Sequence, residues 1–109
     1  LDAAKFFSDF SKDPSLHIGA VIVSSSNQLL SIGWNGFPRG IADDERLNDR
    51  PKKLVHVVHA EENAIFNAAR NGISTEGTTL YLHGLLPCSD CAKAIIQAGI
   101  DRIIIRAPK

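Results

Sequence analysis

Two short segments carry the residues best suited to chemistry: Val58-His59-Ala60-Glu61 and Pro87-Cys88-Ser89-Asp90-Cys91. Cys88 and Cys91 stand three residues apart, so one helical turn brings both sulfurs to the same side. One imidazole and two thiolates suit Zn²⁺, which is commonly four-coordinate, and they leave one position for water. Water on such a metal loses a proton near neutral pH and becomes a strong nucleophile. Each segment falls where a helix is expected to start, and the free N–H groups there favour anions such as thiolates. Glu61 lies two residues beyond His59 and need not bind metal. Beside the water, its carboxylate is placed to accept a proton and pass it on. A hydrolysis draws on that service as water attacks and again as the leaving group departs.

Two other readings of the same residues stand beside this one. Cys88-x-x-Cys91 also has the spacing of a redox pair, although that leaves His59 and Glu61 without a task. A closed structural zinc site would need a fourth ligand, for which His17, His56 and His83 are available.

The elements that must position these groups follow from the apolar pattern. Ala3, Phe6, Phe7 and Phe10 have helical spacing and predict a helix over 1–11, followed by a turn at Asp13-Pro14-Ser15. Residues 18–23 are rich in β-branched side chains and predict a strand, 24–28 a turn, and Leu29–Trp34 the returning strand of a hairpin. A long loop over 35–53 contains Gly36, Pro38, Gly40 and Pro51, and loops of that length are usually functional or mobile. Its acidic and basic stretch, from Asp43 to Lys53, reads as a solvated surface. An Ala-rich helix is expected over 60–71 with Gly72 as its stop, a strand over 78–83, a second helix over 88–98 ended by Gly99, and a last strand at Arg102–Arg106. The uninterrupted Ile103-Ile104-Ile105 run predicts burial on both faces. A hairpin followed by strand-helix-strand predicts a mixed sheet covered by helices, a three-layer α/β arrangement. Glu62 is expected to face solvent, because carboxylates are rarely buried, and Trp34 to belong to the core.

The 109 residues fit one small domain spanning 1–109. Truncation at both ends is compatible with Leu1 as the first residue and with a stop just after a strand. Twelve Lys and Arg balance twelve Asp and Glu, which argues against a nucleic-acid wrapper with its basic face. No apolar run approaches the ~20 residues a membrane span needs. Two cysteines at such short spacing staple a secreted fold poorly, so a reducing, cytoplasmic setting is expected.

His-x-Glu followed by Pro-Cys-x-x-Cys resembles the cytidine and deoxycytidylate deaminase superfamily. The resemblance extends through Asp13-Pro14-Ser15, Gly19-Ala20-Val21-Ile22-Val23, Trp34-Asn35-Gly36-Phe37-Pro38-Arg39-Gly40, residues 58–65 with Asn63, and residues 91–96, where it is nearest to the deoxycytidylate branch. It implies a cytidine deaminase-like α/β/α fold with about five strands. It assigns His59, Cys88 and Cys91 to zinc and Glu61 to the proton shuttle, and it implies a homo-oligomer acting on a small-molecule nucleotide, dCMP being favoured. Deaminases of free cytidine or deoxycytidine, guanine, a riboflavin-pathway intermediate or tRNA adenosine share the chemistry, and a non-catalytic zinc-binding domain is a further alternative. Position 62 is Glu where the branch more often carries an apolar residue, and residues 82–87 are also atypical. Asn35 and Arg39 are the candidate substrate-binding residues. Asn can hydrogen-bond a sugar hydroxyl or base edge, and Arg matches a phosphate. A turn-forming Asn and a surface Arg remain the plain alternatives.

Overall fold

The computed structural model describes residues 2–11, 17–36, 58–84 and 87–106. The expected turn at Asp13-Pro14-Ser15 and most of the 35–53 loop, including Arg39, lie outside them.

The elements are α1 (Asp2–Ser8), β1 (Gly19–Val23), β2 (Leu29–Trp34), α2 (Ala60–Arg70), β3 (Thr79–His83), α3 (Ser89–Gln97) and β4 (Arg102–Arg106). They follow the predicted order, with both stop glycines, Gly72 and Gly99, at positive φ. Among the described residues the sheet has four strands, in the order β2-β1-β3-β4, so a fifth strand is not among them. β1 is central and antiparallel to both β2 and β3, whereas β3 and β4 are parallel. A parallel pair cannot be closed by a tight turn, and α3 supplies the crossover.

Alternation along the strands separates two faces. Ala20 and Ile22 of β1 stand opposite Leu82 and Leu80 of β3, and these four pack with Ala60 and Ala64 of α2 and Ile95 of α3 to form the core. The other face carries Val21, paired with Tyr81 and Ile32, and lies under α1, whose Ala4 is fully buried. This is the predicted three-layer arrangement. Trp34 packs edge-on against Phe10, with ring centroids 5.1 Å apart, and is only half-buried.

The last strand departs from expectation. Its isoleucine run predicted burial on both faces, yet Ile103 is exposed and Ile104 and Ile105 are only partly covered. The reason is position. β4 is an edge strand, paired only with β3 among the described residues.

Two close approaches set the layer spacing. A β-carbon on Gly19 would run into the α1 backbone at Ala4 and Ser8. One on Gly33 would sit 2.5 Å from both the Ala60 carbonyl oxygen and the Ala64 nitrogen of α2. Those are backbone atoms and cannot rotate away, so Gly33 is what lets the first turn of α2 lie directly on β2. Gly33→Ala is expected to lower unfolding stability by about 1–3 kcal/mol, the usual cost of overpacking. A urea titration of purified protein checks this; an unchanged midpoint would contradict the close packing.

The register also decides where the chemistry gathers. Gly19, the first residue of β1, pairs with Trp34 on one side and His83 on the other. The carboxyl ends of β2 and β3 therefore finish in one row. The chain leaves that row toward Asn35 and Gly36 from β2, and toward Pro87 and Cys88 from β3.

Candidate metal centre

α2 and α3 both begin at this end of the sheet, and their first residues face one another. His59 is the N-cap of α2, in an extended conformation, and Cys88 is the N-cap of α3. Nδ1 of His59 lies 3.1 Å from Sγ of Cys91 and 3.6 Å from Sγ of Cys88. The three donor atoms lie within 4.8 Å of one another. Ligand atoms at ordinary zinc distances and tetrahedral angles stand ~3.5 Å apart, so the set fits the ion. With a metal on Nδ1, the ring proton would sit on Nε2. Among the described residues no fourth His, Cys, Asp or Glu joins the group. His17 pairs instead with Asp9 at 3.9 Å, and His83 ends β3. His56 lies outside the described residues.

The two sulfurs differ in setting. Cys88 is exposed and its sulfur accepts the Cys91 N–H at 3.4 Å, so a cysteine caps this helix. Cys91 is buried. Burial, followed by the nearby Glu61 carboxylate and Cys88, pushes its thiol well above the usual cysteine range. The expected help from the helix start is thus outweighed in the metal-free protein. A coordinated cation reverses that balance, because it takes the proton's place.

Glu61 is 4% exposed. Desolvation is the main cause holding its carboxyl above the ordinary value; its own backbone N–H, His59 and the Cys91 thiol act in the opposite direction. It is a buried carboxyl beside Cys91 yet outside the donor group.

What sets the first turn of α2 in place is polar. Asn63 Nδ2 donates to the Trp34 carbonyl at 2.7 Å and Asn67 Nδ2 to the Ile32 carbonyl at 2.8 Å. Ser31 Oγ donates to the Ala64 carbonyl at 2.7 Å. Apolar packing alone tolerates small slides, whereas directional bonds to strand carbonyls fix the register of helix on strand. Neither Asn67 nor Ser31 was legible as part of the site. The available signal was Asn at i and i+4, two weak helix formers on the same face as buried Ala60 and Ala64.

Glu62 also differs from expectation. It is half-buried and turned back toward the helix start, where Oε1 accepts the His59 N–H at 3.1 Å. Asn35 is buried; its Oδ1 accepts the Ile18 N–H at 3.0 Å and its carbonyl accepts Ser11 Oγ at 2.9 Å. Its neighbour Gly36 forms a two-bond bridge with Val58, the residue before His59.

A three-layer α/β domain with an imidazole and two sulfurs converging beside a buried carboxyl is a zinc-binding domain of the deaminase type. Residues 2–107 match the family described as the cytidine and deoxycytidylate deaminase zinc-binding region, and the chain belongs to that family. It is 43% identical to human deoxycytidylate deaminase over 105 residues, covering 91% of this chain and 57% of that protein. Over 47 residues it is 60% identical to deoxycytidylate deaminase of Enterobacteria phage T4, covering 43% of this chain and 24% of that protein. The chain spans about half the length of the curated relatives it matches, 53% to 57% for the animal proteins. Among solved structures it resembles the apo dCMP deaminase of cyanophage S-TIM5, with TM-score 0.80, 33% identity, and coverage of 97% of this chain and 78% of that one. The same enzyme in complex with dCMP and dUMP matches with TM-score 0.78 and 30% identity, covering 97% of this chain and 76% of that one.

Proposed function

We propose that the chain hydrolyses the exocyclic amine of dCMP, giving dUMP and ammonia. The observation that carries this reading is the convergence of His59 Nδ1 and the two cysteine sulfurs beside buried Glu61, in a chain whose relatives include deoxycytidylate deaminases. When zinc is bound by three protein ligands, it keeps a fourth position for solvent and lowers the pKa of that water to about 7.

The chain's own residues do the rest. Glu61 takes the first proton as water adds to C4 of the ring and delivers it to N3, where it remains in the product. It then takes the proton of the hydroxyl now on C4 and gives it to the amine. C4=O forms, the C4–N bond breaks, and ammonia leaves. Burial suits Glu61 to this work, because a carboxyl held above its ordinary value retains a proton long enough to hand it over.

Asn35 and Arg39 are assigned to the nucleotide, Asn35 to a sugar hydroxyl or base edge and Arg39 to the phosphate. The bridge that ties Gly36 to Val58 supports the first assignment, since it holds Asn35 next to the ligand-bearing segment. The geometry of guanidinium–phosphate pairing supports the second. Two cysteines outside any disulfide suit the cytoplasm. Exposed Phe6, Phe66 and Ile96 suit a homo-oligomer, which sedimentation would reveal. No helix among the described residues is long and apolar enough to cross a membrane.

Ammonia release against dCMP, deoxycytidine, dCTP and guanine tests the substrate. dCMP is expected to turn over best. Arg39→Ala should raise KM for dCMP roughly 10- to 100-fold, the worth of a charged hydrogen bond, and leave deoxycytidine unaffected. Equal turnover of dCMP and deoxycytidine by the unaltered protein would remove the phosphate assignment, and turnover of guanine alone would remove the pyrimidine.

A further inference from the structure

The backbone of His59 is gripped on both sides. Just before it, Val58 and Gly36 exchange two hydrogen bonds, with the Gly36 N–H donating at 3.1 Å and the Val58 N–H at 2.6 Å. The N–H of His59 itself has a different acceptor, Oε1 of Glu62 at 3.1 Å. An N–H at a helix start has no carbonyl within its own helix to bond. Glu62, at the third helical position, reaches back and supplies one.

That bond bears on the donor set because of what His59 must do. Its imidazole reaches across from α2 to sulfurs held by α3. The φ and ψ of His59 aim the Cα–Cβ bond, and the ring follows. A small backbone rotation therefore shifts Nδ1 relative to both sulfurs together, and metal–ligand distances tolerate only about ±0.2 Å. Glu62 cannot duplicate Glu61, since successive helical residues point ~100° apart. Its carboxylate is spent on the turn that presents the imidazole.

We propose that Glu62 is a positioning residue of the metal centre, which holds the His59 backbone and so aims Nδ1 at the point where the sulfurs converge. The inference rests on the reading of His59 as a ligand.

The experiment compares the unaltered protein with Glu62→Gln, Glu62→Leu and Glu62→Ala. Zn²⁺ affinity is read by competition with a chromophoric chelator, and ligand geometry by the visible spectrum of Co²⁺ at the same centre. Gln keeps an acceptor oxygen without the charge; Leu and Ala have none. Glu62→Gln should bind Zn²⁺ within about twofold of the parent and give the parent's Co²⁺ bands. Leu and Ala should each lose about 10-fold or more in affinity, as removal of a ligand's supporting partner typically does, and shift the bands. A general loss of stability would leave the spectrum of the folded fraction unchanged, and with it the proposal would fall. It would also fall if Leu and Ala matched the parent, or if Gln lost as much as they did, since charge rather than the hydrogen bond would then be responsible. Failure of the parent itself to take up either ion would instead overturn the reading of the centre.

Discussion

Glu61→Gln is expected to lower kcat for dCMP by about 10³- to 10⁴-fold while the protein keeps its zinc. A single positioned acid or base contributes ~10²- to 10⁴-fold, and this carboxyl is assigned every proton transfer in the reaction, which places the loss at the upper end. Zinc should remain because Glu61 is not among the three converging donors. Gln fills the same space, so the loss reports protons rather than packing. Ammonia release and metal content, measured on the same preparation, check it; activity within tenfold of the parent would end the shuttle assignment. The same substitution has a second, metal-free signature. Burial holds the Glu61 carboxyl above its ordinary value. A group raised on folding lends its stability below its unfolded pKa and loses it as pH rises through the folded one. Chelator-treated parent protein should therefore lose stability from this source as pH rises above the ordinary carboxyl range, and Glu61→Gln should flatten that part of the profile. Cys91 is also raised, but a thiol starts to contribute only near its ordinary pKa of ~8.5, well above the ordinary carboxyl range.

Cys88→Ala should lose zinc and stability together. Cys88 is the better of the two cysteines for this test because it is exposed, so its removal opens no core cavity. What remains is a cap and a ligand. Loss of the sulfur that accepts the Cys91 N–H costs about 1 kcal/mol. Loss of the metal costs more. An ion present at a thousand times its dissociation constant stabilises the folded state by about 4 kcal/mol, or on the order of 15 °C in a domain of this size. Chelating the parent should reproduce most of that fall in thermal midpoint, and chelator should leave the variant unmoved. One zinc per chain retained in Cys88→Ala would contradict the ligand assignment.

Much of this was legible in the residues because it is local. The three-residue spacing of Cys88 and Cys91 places two sulfurs on one turn whatever surrounds them. The two-residue spacing of His59 and Glu61 puts a donor and a carboxyl at the same helix start. Apolar periodicity distinguished strands from helices, and Gly72 and Gly99 marked where the helices stop.

Tertiary structure alone decided how those pieces meet. His59 and Cys88 are 29 positions apart, and only the pairing of β2 and β3 on either side of β1 brings the chain segments beyond both strands to one end of the sheet. The exposure of Ile103 follows from an edge position that a run of isoleucines cannot announce. The roles of Ser31, Asn63, Asn67 and Glu62 depend on which backbone groups the strands and helix starts leave without partners. Composition specifies which side chains can donate or accept; the register of strands and helices specifies which backbone groups await them. That register is a property of the packed layers and of no single stretch of chain.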